Sequence, residues 1–183
     1  SFADLTVVQV CASPNGLSAD FSPELCASLL ANNLGARSVS LMAPAIVSSS
    51  ELRSLLLQEP TIRNQLKVIK SANKVVFGVG ELGKGATLRS SELYDEATID
   101  ELARKGAVAV ILGEFLDQDG NGLTDPTQDR TIGISLAELK EIPSRLCVAG
   151  GASKVQAIHA ALNGGFATDL ITDISTARAL LGK

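Results

Sequence analysis

The sequence alternates short, almost continuous runs of Val, Ile and Leu with longer segments that have helical periodicity. Apolar runs of strand length cover 5–12, 38–47, 74–80, 107–116, 131–135, 145–151 and 168–173. Helical patterns cover 22–36, 49–72, 95–105, 135–140, 153–165 and 174–182. Strands that are apolar on both faces and separated by helices are typical of a parallel sheet covered on both sides. The pattern therefore predicts one α/β domain, and its first helix has Ser22 as N-cap and Pro23 at the first helical position.

Composition excludes several classes of protein. The 183 residues are 45% hydrophobic and 20% charged, which is typical of a globular chain. A formal charge of −4 argues against a surface that grips a phosphate backbone. No apolar run approaches ~18 residues, so no membrane span is expected. The three cysteines include no CxxC pair, and the pattern indicates free thiols in a reducing cytosol.

The turn after the 145–151 run carries the most information about function. In a parallel sheet, ligands bind beyond the carboxyl ends of the strands. Gly150 and Gly151 would let backbone N–H groups approach a ligand, Ser153 could cap the next helix, and Lys154 adds a cation at its first turn. A cation beside amide donors suits an anion such as a phosphate. The alternative is a tight glycine turn with a solvated lysine.

Three other candidates give weaker signals. The glycines of 77–91 form only a weak dinucleotide fingerprint, and a flexible loop that covers a ligand is an equally good interpretation, in which Lys84 and Arg89 supply charge or are simply solvated. The stretch 117–125 resembles half of a calcium loop, but position twelve is Gln128 instead of Glu, so a turn leaving a strand is favoured. His159 is the only histidine, and its pattern indicates a helix surface. No metal site and no cofactor are expected.

Several motifs, in order along the chain, resemble the effector-binding domain of bacterial transcriptional regulators of the SorC/DeoR type. They are "LMAP" (41–44), "FGVG" (77–80), "GAVAVILGEFLDQDGNG" (106–122), "RTIGISLAELKEIP" (130–143), "CVAGGASKVQAIHAALNGG" (147–165) and "DLITDISTARALL" (169–181). The resemblance implies a Rossmann-like α/β fold, related to ribose-phosphate isomerase, glucosamine-phosphate deaminase and CoA transferases. It also implies a non-catalytic domain that binds a phosphorylated sugar and controls an attached DNA-binding helix-turn-helix.

The same resemblance assigns the effector-binding residues. The family lysine that follows Ala-Gly-Gly falls on Lys154, which agrees with the anion site inferred from the turn itself. The other positions assigned to the effector site are Gly150, Gly151, Ser153, Gly78, Gly80, Asp117, Ser13, Asn15 and Gly16. Asp117 is expected at the rim of the pocket, as an acceptor for a sugar hydroxyl.

The sequence also departs from the family pattern. The first β-α unit, with its phosphate loop, and the helix-turn-helix would precede Ser1, so the chain is expected to be part of a longer protein. Val110 stands where many members have an acidic residue, and Pro14 or one of its neighbours stands where a basic residue is common. These differences predict a pocket whose chemistry differs from that of the best-known sugar-phosphate sensors.

Three functions follow from these observations. The first is an effector-sensing domain of a cytoplasmic regulator. The resemblance implies that the regulator is a dimer or a tetramer, as family members commonly are. The second is a sugar-phosphate isomerase or deaminase of the same fold, in which Asp117, Asp119 or Asp173 would move a proton. The third is a metal-binding or scaffold module, favoured only by 117–125. The regulator is preferred because the best-matching motifs are those of the regulators.

Overall fold

The computed structural model describes residues 4–12, 22–91 and 93–182. The described residues within 1–71 and 127–134 form one compact unit, and those within 72–126 and 135–183 form a second. The strands are β1 (Thr6–Val8), β2 (Arg37–Val39), β3 (Lys74–Phe77), β4 (Ala109–Ile111), β5 (Glu114–Leu116), β6 (Gly122–Leu123), β7 (Ser144–Val148) and β8 (Asp169–Ile171). The helices are α1 (Pro23–Leu34), α2 (Ser50–Gln58), α3 (Pro60–Lys70), α4 (Thr87–Ser90), α5 (Glu96–Arg104), α6 (Leu136–Glu141), α7 (Val155–Asn163) and α8 (Ile174–Leu180).

The first unit contains a parallel pair of strands, β1 and β2, joined by α1. The α1 helix begins as predicted, because the Ser22 hydroxyl accepts a hydrogen bond from the Leu25 N–H at 3.0 Å and Pro23 occupies the first position. Gly35 ends the helix in the left-handed conformation, with a φ of 63°. The helical pattern predicted over 49–72 forms two helices, because Pro60 cannot donate a backbone hydrogen bond and begins α3 as a new helix.

The second unit contains a parallel sheet in the order β3-β7-β8 and an antiparallel sheet in the order β4-β5-β6. Helix α5 starts at the cap Asp95 and buries Ile99 and Leu102 completely or almost so. Helix α7 contributes buried small and aliphatic side chains, namely Ala157, Ile158, Ala160 and Ala161. Burial of each large aliphatic side chain contributes about 1.5–3 kcal/mol, so these helices hold the core of the unit together.

The predicted fold class, an α/β fold with parallel sheets flanked by helices, is confirmed. The predicted strand over 107–116 is wrong, because the chain reverses at Leu112 and Gly113, both with positive φ, and forms the antiparallel pair β4–β5. The predicted strand over 131–135 is also absent from the described residues. Instead, Thr131 and Gly133 make isolated bridges to Ile46 and Cys11 within the first unit.

Candidate functional site

The carboxyl ends of β3, β7 and β8 meet at one edge of the parallel sheet in the second unit. Phe77 pairs with Cys147, and Val148 pairs with Ile171, so the three strands finish in register. The structure therefore brings together the turn at Gly78, the turn at Gly150 and the start of α8. This edge of a parallel sheet is where α/β proteins bind ligands, and we call it the sheet edge.

The turn after β7 combines an unusual backbone with a cation. Gly151 has a φ of 103°, a value that favours glycine, and is followed by a 3-10 helix over Ala152–Lys154 that leads into α7. Ser153 is exposed within this 3-10 helix. The expectation that Ser153 caps α7 is wrong, because the extra turn moves the N-cap position to Lys154, which makes no side-chain capping bond.

Lys154 is half-buried, and its positive charge acts on Cys147 near the end of β7. Burial raises the pKa of the Cys147 thiol, and the positive charge of Lys154 opposes that increase in pKa. Cys147 itself is buried, as its apolar sequence context predicts. The lysine thus places a cation within electrostatic range of the sheet edge, where an anionic ligand would be attracted to it.

A carboxylate at the start of α8 fixes the Gly150–Gly151 turn. The Gly151 N–H donates to Asp173 Oδ2 at 2.9 Å and to Thr176 Oγ1 at 2.8 Å. The Thr176 hydroxyl in turn donates to the same Asp173 Oδ2 at 2.6 Å, and the backbone N–H of Thr176 donates to Asp173 Oδ1 at 2.8 Å. We call these three residues, Gly151, Asp173 and Thr176, the clasp.

The clasp has two further physical consequences. Hydrogen bonds from the Ser175 and Thr176 hydroxyls, followed by those from backbone N–H groups, hold the pKa of Asp173 well below its usual range. A Cβ atom on Gly150 would lie 2.6 Å from Asp173 Oδ2, so glycine is needed there by close approach. Because the carboxylate already accepts these hydrogen bonds and stays ionised, Asp173 is poorly suited to be the proton-transferring base of an isomerase.

Sequence reasoning missed Thr172 and Thr176 as parts of this edge. The Thr172 hydroxyl is buried without a hydrogen-bond partner among the described residues, 3.5 Å from where a Cβ on Gly150 would stand. Thr176 is 1% exposed. An Asp before a short apolar helical run is a capping signal, which could have identified Asp173. No local pattern reveals that its carboxylate also reaches Gly151.

The two glycines after β3 have different surroundings. Gly78 is exposed at the sheet edge, and a Cβ there would make an ordinary contact with Val148 O at 3.7 Å. Gly80 instead pairs with Val110, since its N–H donates to Val110 O at 2.9 Å and its carbonyl accepts from Val110 N at 3.0 Å. Both polar backbone atoms of Gly80 therefore connect β4 to the turn and are already in use.

The turn between β5 and β6 closes on Asp117. Its Oδ1 accepts hydrogen bonds from the N–H groups of Asp119 at 2.9 Å and Asn121 at 2.8 Å, and its Oδ2 accepts from Asn121 Nδ2 at 3.1 Å. These bonds, led by those from Asn121, lower the pKa of Asp117. Within the described residues, no group of three or more His, Cys, Asp and Glu side chains could hold a metal ion.

A cleft of about 530 Å³ lies in the second unit, beside the turn after β5 and the turn after β7. Its polar lining consists of Gln118, Asp119, Ser153, Gln156, His159 and Asn163. His159 is exposed on α7, as predicted, and its Nδ1 lies 3.0 Å from Asn163 Nδ2. Lys154 is not part of this lining. The cleft and the lysine of the sheet edge are therefore distinct features, with Ser153 next to both.

The remaining predicted residues are placed as follows. Ser13, Asn15 and Gly16 lie outside the described residues. Arg89 forms ion pairs with Glu96 and, at 2.8 Å, with Asp100, so its charge is used within the second unit. Lys84 is exposed. None of the helices in 4–12, 22–91 and 93–182 has the length and apolar character needed to cross a membrane.

Comparison with known proteins places these features in a family. The family described as "Putative sugar-binding domain" matches residues 1–182. The transcriptional regulator LsrR of Klebsiella pneumoniae is 40% identical over 148 residues, which cover 79% of this chain and 46% of that protein. The chain thus spans about half the length of the curated relatives it matches.

Solved structures agree with this assignment. The full-length sorbitol operon regulator SorC from Klebsiella pneumoniae has a TM-score of 0.90 at 22% identity, over 96% of this chain and 57% of that one, and supports the fold alone. A sugar-binding domain of a transcriptional repressor from Vibrio fischeri has a TM-score of 0.84 at 26% identity, over 97% of this chain and 69% of that one. The chain belongs to the sugar-binding domain family of bacterial transcriptional regulators of the SorC/DeoR type.

Proposed function

We propose that this chain is the effector-binding domain of a bacterial transcriptional regulator and that its effector is a phosphorylated sugar. The observation that carries the proposal is the turn at the end of β7, where Gly150, Gly151 and Lys154 lie at the carboxyl edge of a parallel sheet. The regulators LsrR and SorC are relatives or structural neighbours of the chain. A sugar-binding family and a cation at a ligand-binding edge together favour a sugar that carries an anionic group.

In this proposal, the phosphate contacts the Lys154 ammonium, and the sugar extends along the sheet edge toward Gly78. The predicted contacts from Ser153, Asp117, Gly80, Ser13, Asn15 and Gly16 belong to the same hypothesis. Two of these residues carry less weight, because Asp117 and Gly80 already use their hydrogen-bonding atoms within the protein. Lys154 is the residue on which the proposal depends most.

The proposal extends to the longer protein. Effector binding would favour one of two arrangements of subunits in a cytoplasmic homodimer or homotetramer, and so change DNA binding by a helix-turn-helix outside this chain. The domain itself would not be an enzyme. The alternative, a sugar-phosphate isomerase or deaminase, requires a free general base, and Asp173 is occupied in the clasp.

A thermal-shift measurement with glucose 6-phosphate, fructose 6-phosphate and ribose 5-phosphate tests the proposal. A ligand at 100 times its Kd stabilises a protein by about 2.7 kcal/mol, which raises Tm by roughly 5–10 °C for a chain of this size. Lys154→Ala should remove most of this shift. Lys74→Ala is the matched control, because Lys74 is exposed at the first residue of β3, at the opposite end of that strand.

Two results would contradict the proposal. If none of the three sugar phosphates raises Tm, or if Lys154→Ala keeps the full shift, the sheet edge is not a sugar-phosphate site. Conversion of a sugar phosphate into its isomer by the purified protein would support the enzyme alternative instead.

A further inference from the structure

The clasp connects the turn proposed to bind the effector with a helix that follows it by more than twenty residues. Asp173 and Thr176 belong to the start of α8, yet both accept a hydrogen bond from the Gly151 N–H. The contact spans 22 residues in the case of Asp173 and 25 in the case of Thr176. A capping residue that served only its own helix would need neither contact.

The geometry of the clasp leaves little freedom to the turn. Gly151 has a positive φ of 103°, so its backbone occupies a region from which a free glycine would readily move to others. One N–H shared between two oxygen atoms at 2.8 and 2.9 Å fixes the peptide plane between Gly150 and Gly151. Thr176 is 1% exposed, so its hydroxyl cannot turn toward water without leaving its partners unpaired.

The fixed peptide plane lies immediately before the 3-10 helix Ala152–Lys154. The Lys154 N–H donates to Gly151 O at 3.0 Å, so the lysine backbone is tied directly to the residue held by the clasp. Gly151 is therefore held through its N–H by the clasp and through its carbonyl by Lys154, so its φ of 103° and ψ of 147° set where the Lys154 backbone starts. A site whose cation is already in place loses less conformational freedom when its ligand binds.

We propose that Thr176, together with Asp173, is a positioning residue for effector binding, which holds the Gly150–Lys154 turn in the shape that binds the anion. This inference rests on the proposed function of the same turn. Thr176 need not touch the effector, since it acts through the Gly151 N–H and through the backbone of Lys154. A change at Thr176 should therefore alter affinity while every effector-contacting side chain remains present.

The test compares three substitutions in the otherwise unchanged protein, by isothermal titration with whichever of the three sugar phosphates stabilises the wild type. Thr176→Val keeps the shape of the side chain but removes the hydroxyl, and it should weaken binding by about tenfold. Thr176→Ser restores the hydroxyl and should bind within about threefold of the wild type. Ile99→Val, in the buried core of α5, lowers stability without touching the turn and should leave the Kd unchanged.

A second measurement does not depend on the ligand. In Thr176→Val, the Gly151 amide should exchange its hydrogen with solvent faster than in the wild type, whereas amides of α5 should not change. If Thr176→Val fails to fold, Thr176→Ala replaces it, because it removes the same hydroxyl without adding an apolar branch that faces Asp173.

The outcomes separate the two proposals. If the wild type binds and Lys154→Ala does not, but Thr176→Val binds as tightly as the wild type, the positioning role is overturned and the proposed function stands. An equal loss of affinity in Thr176→Val and Ile99→Val also overturns it, since it would reflect stability alone. If the wild type binds none of the three sugar phosphates, the proposed function is contradicted, and the positioning role is overturned with it.

Discussion

In two turns of the second unit, an aspartate carboxylate accepts hydrogen bonds from backbone N–H groups, but the donors lie at different distances along the chain. Asp117, after β5, accepts hydrogen bonds from N–H groups two and four residues further along. Asp173, after β8, accepts from its own helix and also from Gly151, 22 residues earlier. These hydrogen bonds lower the pKa of each carboxylate below its usual range.

The difference in range explains why the two turns have different roles. A carboxylate that satisfies only its own turn makes a compact loop, which is the ordinary role of Asp in turns. A carboxylate that spans two βα turns fixes them relative to each other, and one of these turns carries Lys154. The first turn therefore resembles a metal site in sequence but serves packing, whereas the second fixes the turn that we propose to bind the effector.

The largest effect is expected at the turn between β5 and β6, which contains Asp117 and Gly120. Gly120 is buried with a φ of 83°, and a Cβ atom there would lie 2.5 Å from Ala160 O and closer still to the backbone of Gly164. Gly120→Ala combines a strained backbone with overpacking, and should cost at least about 3 kcal/mol of unfolding free energy. Urea unfolding would measure the loss. Gly122→Ala is the control, because nothing lies within 4 Å of a Cβ at Gly122, and an equal loss there would refute a packing role for Gly120.

An intermediate effect is expected from acid. The pKa values of Asp117 and Asp173 are lower in the folded chain, so their contribution to stability is complete above the unfolded value of about 3.9 and is lost as pH falls below it. The difference in Tm between the wild type and Asp173→Asn should be largest at pH 5–7 and shrink below about pH 4. Asp117→Asn should show the same trend with a smaller amplitude, because the pKa of Asp173 is lowered further. A difference in Tm that stays constant with pH would contradict this account.

The smallest effect is expected at the cleft that lies between the turn after β5 and the start of α7. His159 is exposed, so His159→Ala should change Tm by no more than about 1 °C. It should also leave the shift produced by a sugar phosphate intact, since Lys154 lies outside the lining of the cleft. Loss of that shift in His159→Ala, with Lys154→Ala unaffected, would move the proposed effector site from the sheet edge to the cleft.

Local signals made much of the fold predictable. Ser22 followed by Pro23 identified the start of α1, and the apolar periodicity around Ile99 identified α5. The continuous apolar run that ends in the Gly78 turn identified β3, in which Val75 and Phe77 are buried. These features depend on contacts or dihedral angles within a few residues, which a single sequence contains.

The two failures have different physical causes. The run 107–116 is apolar apart from Gly113 and Glu114, because both strands of the β4–β5 hairpin contribute to the core and the turn residue Leu112 is itself apolar. Only Gly113 and Glu114 marked the reversal. The clasp was missed because it is a distant contact: the pairing of Asp173 with Gly151 exists only after β7 and β8 have aligned. Whether Lys154 binds an effector stays a prediction.

The bridge between Gly80 and Val110 gives the second unit a mechanical property. Two backbone hydrogen bonds, of 2.9 and 3.0 Å, join the turn after the parallel strand β3 to the antiparallel strand β4. A Cβ on Gly80 would strike the Val110 side chain, so the two backbones touch without any intervening side chain. Neither can shift by an ångström without breaking the bridge or carrying the other along. A displacement of the end of β3 would therefore have to break these two hydrogen bonds or move the β4–β5 hairpin with it.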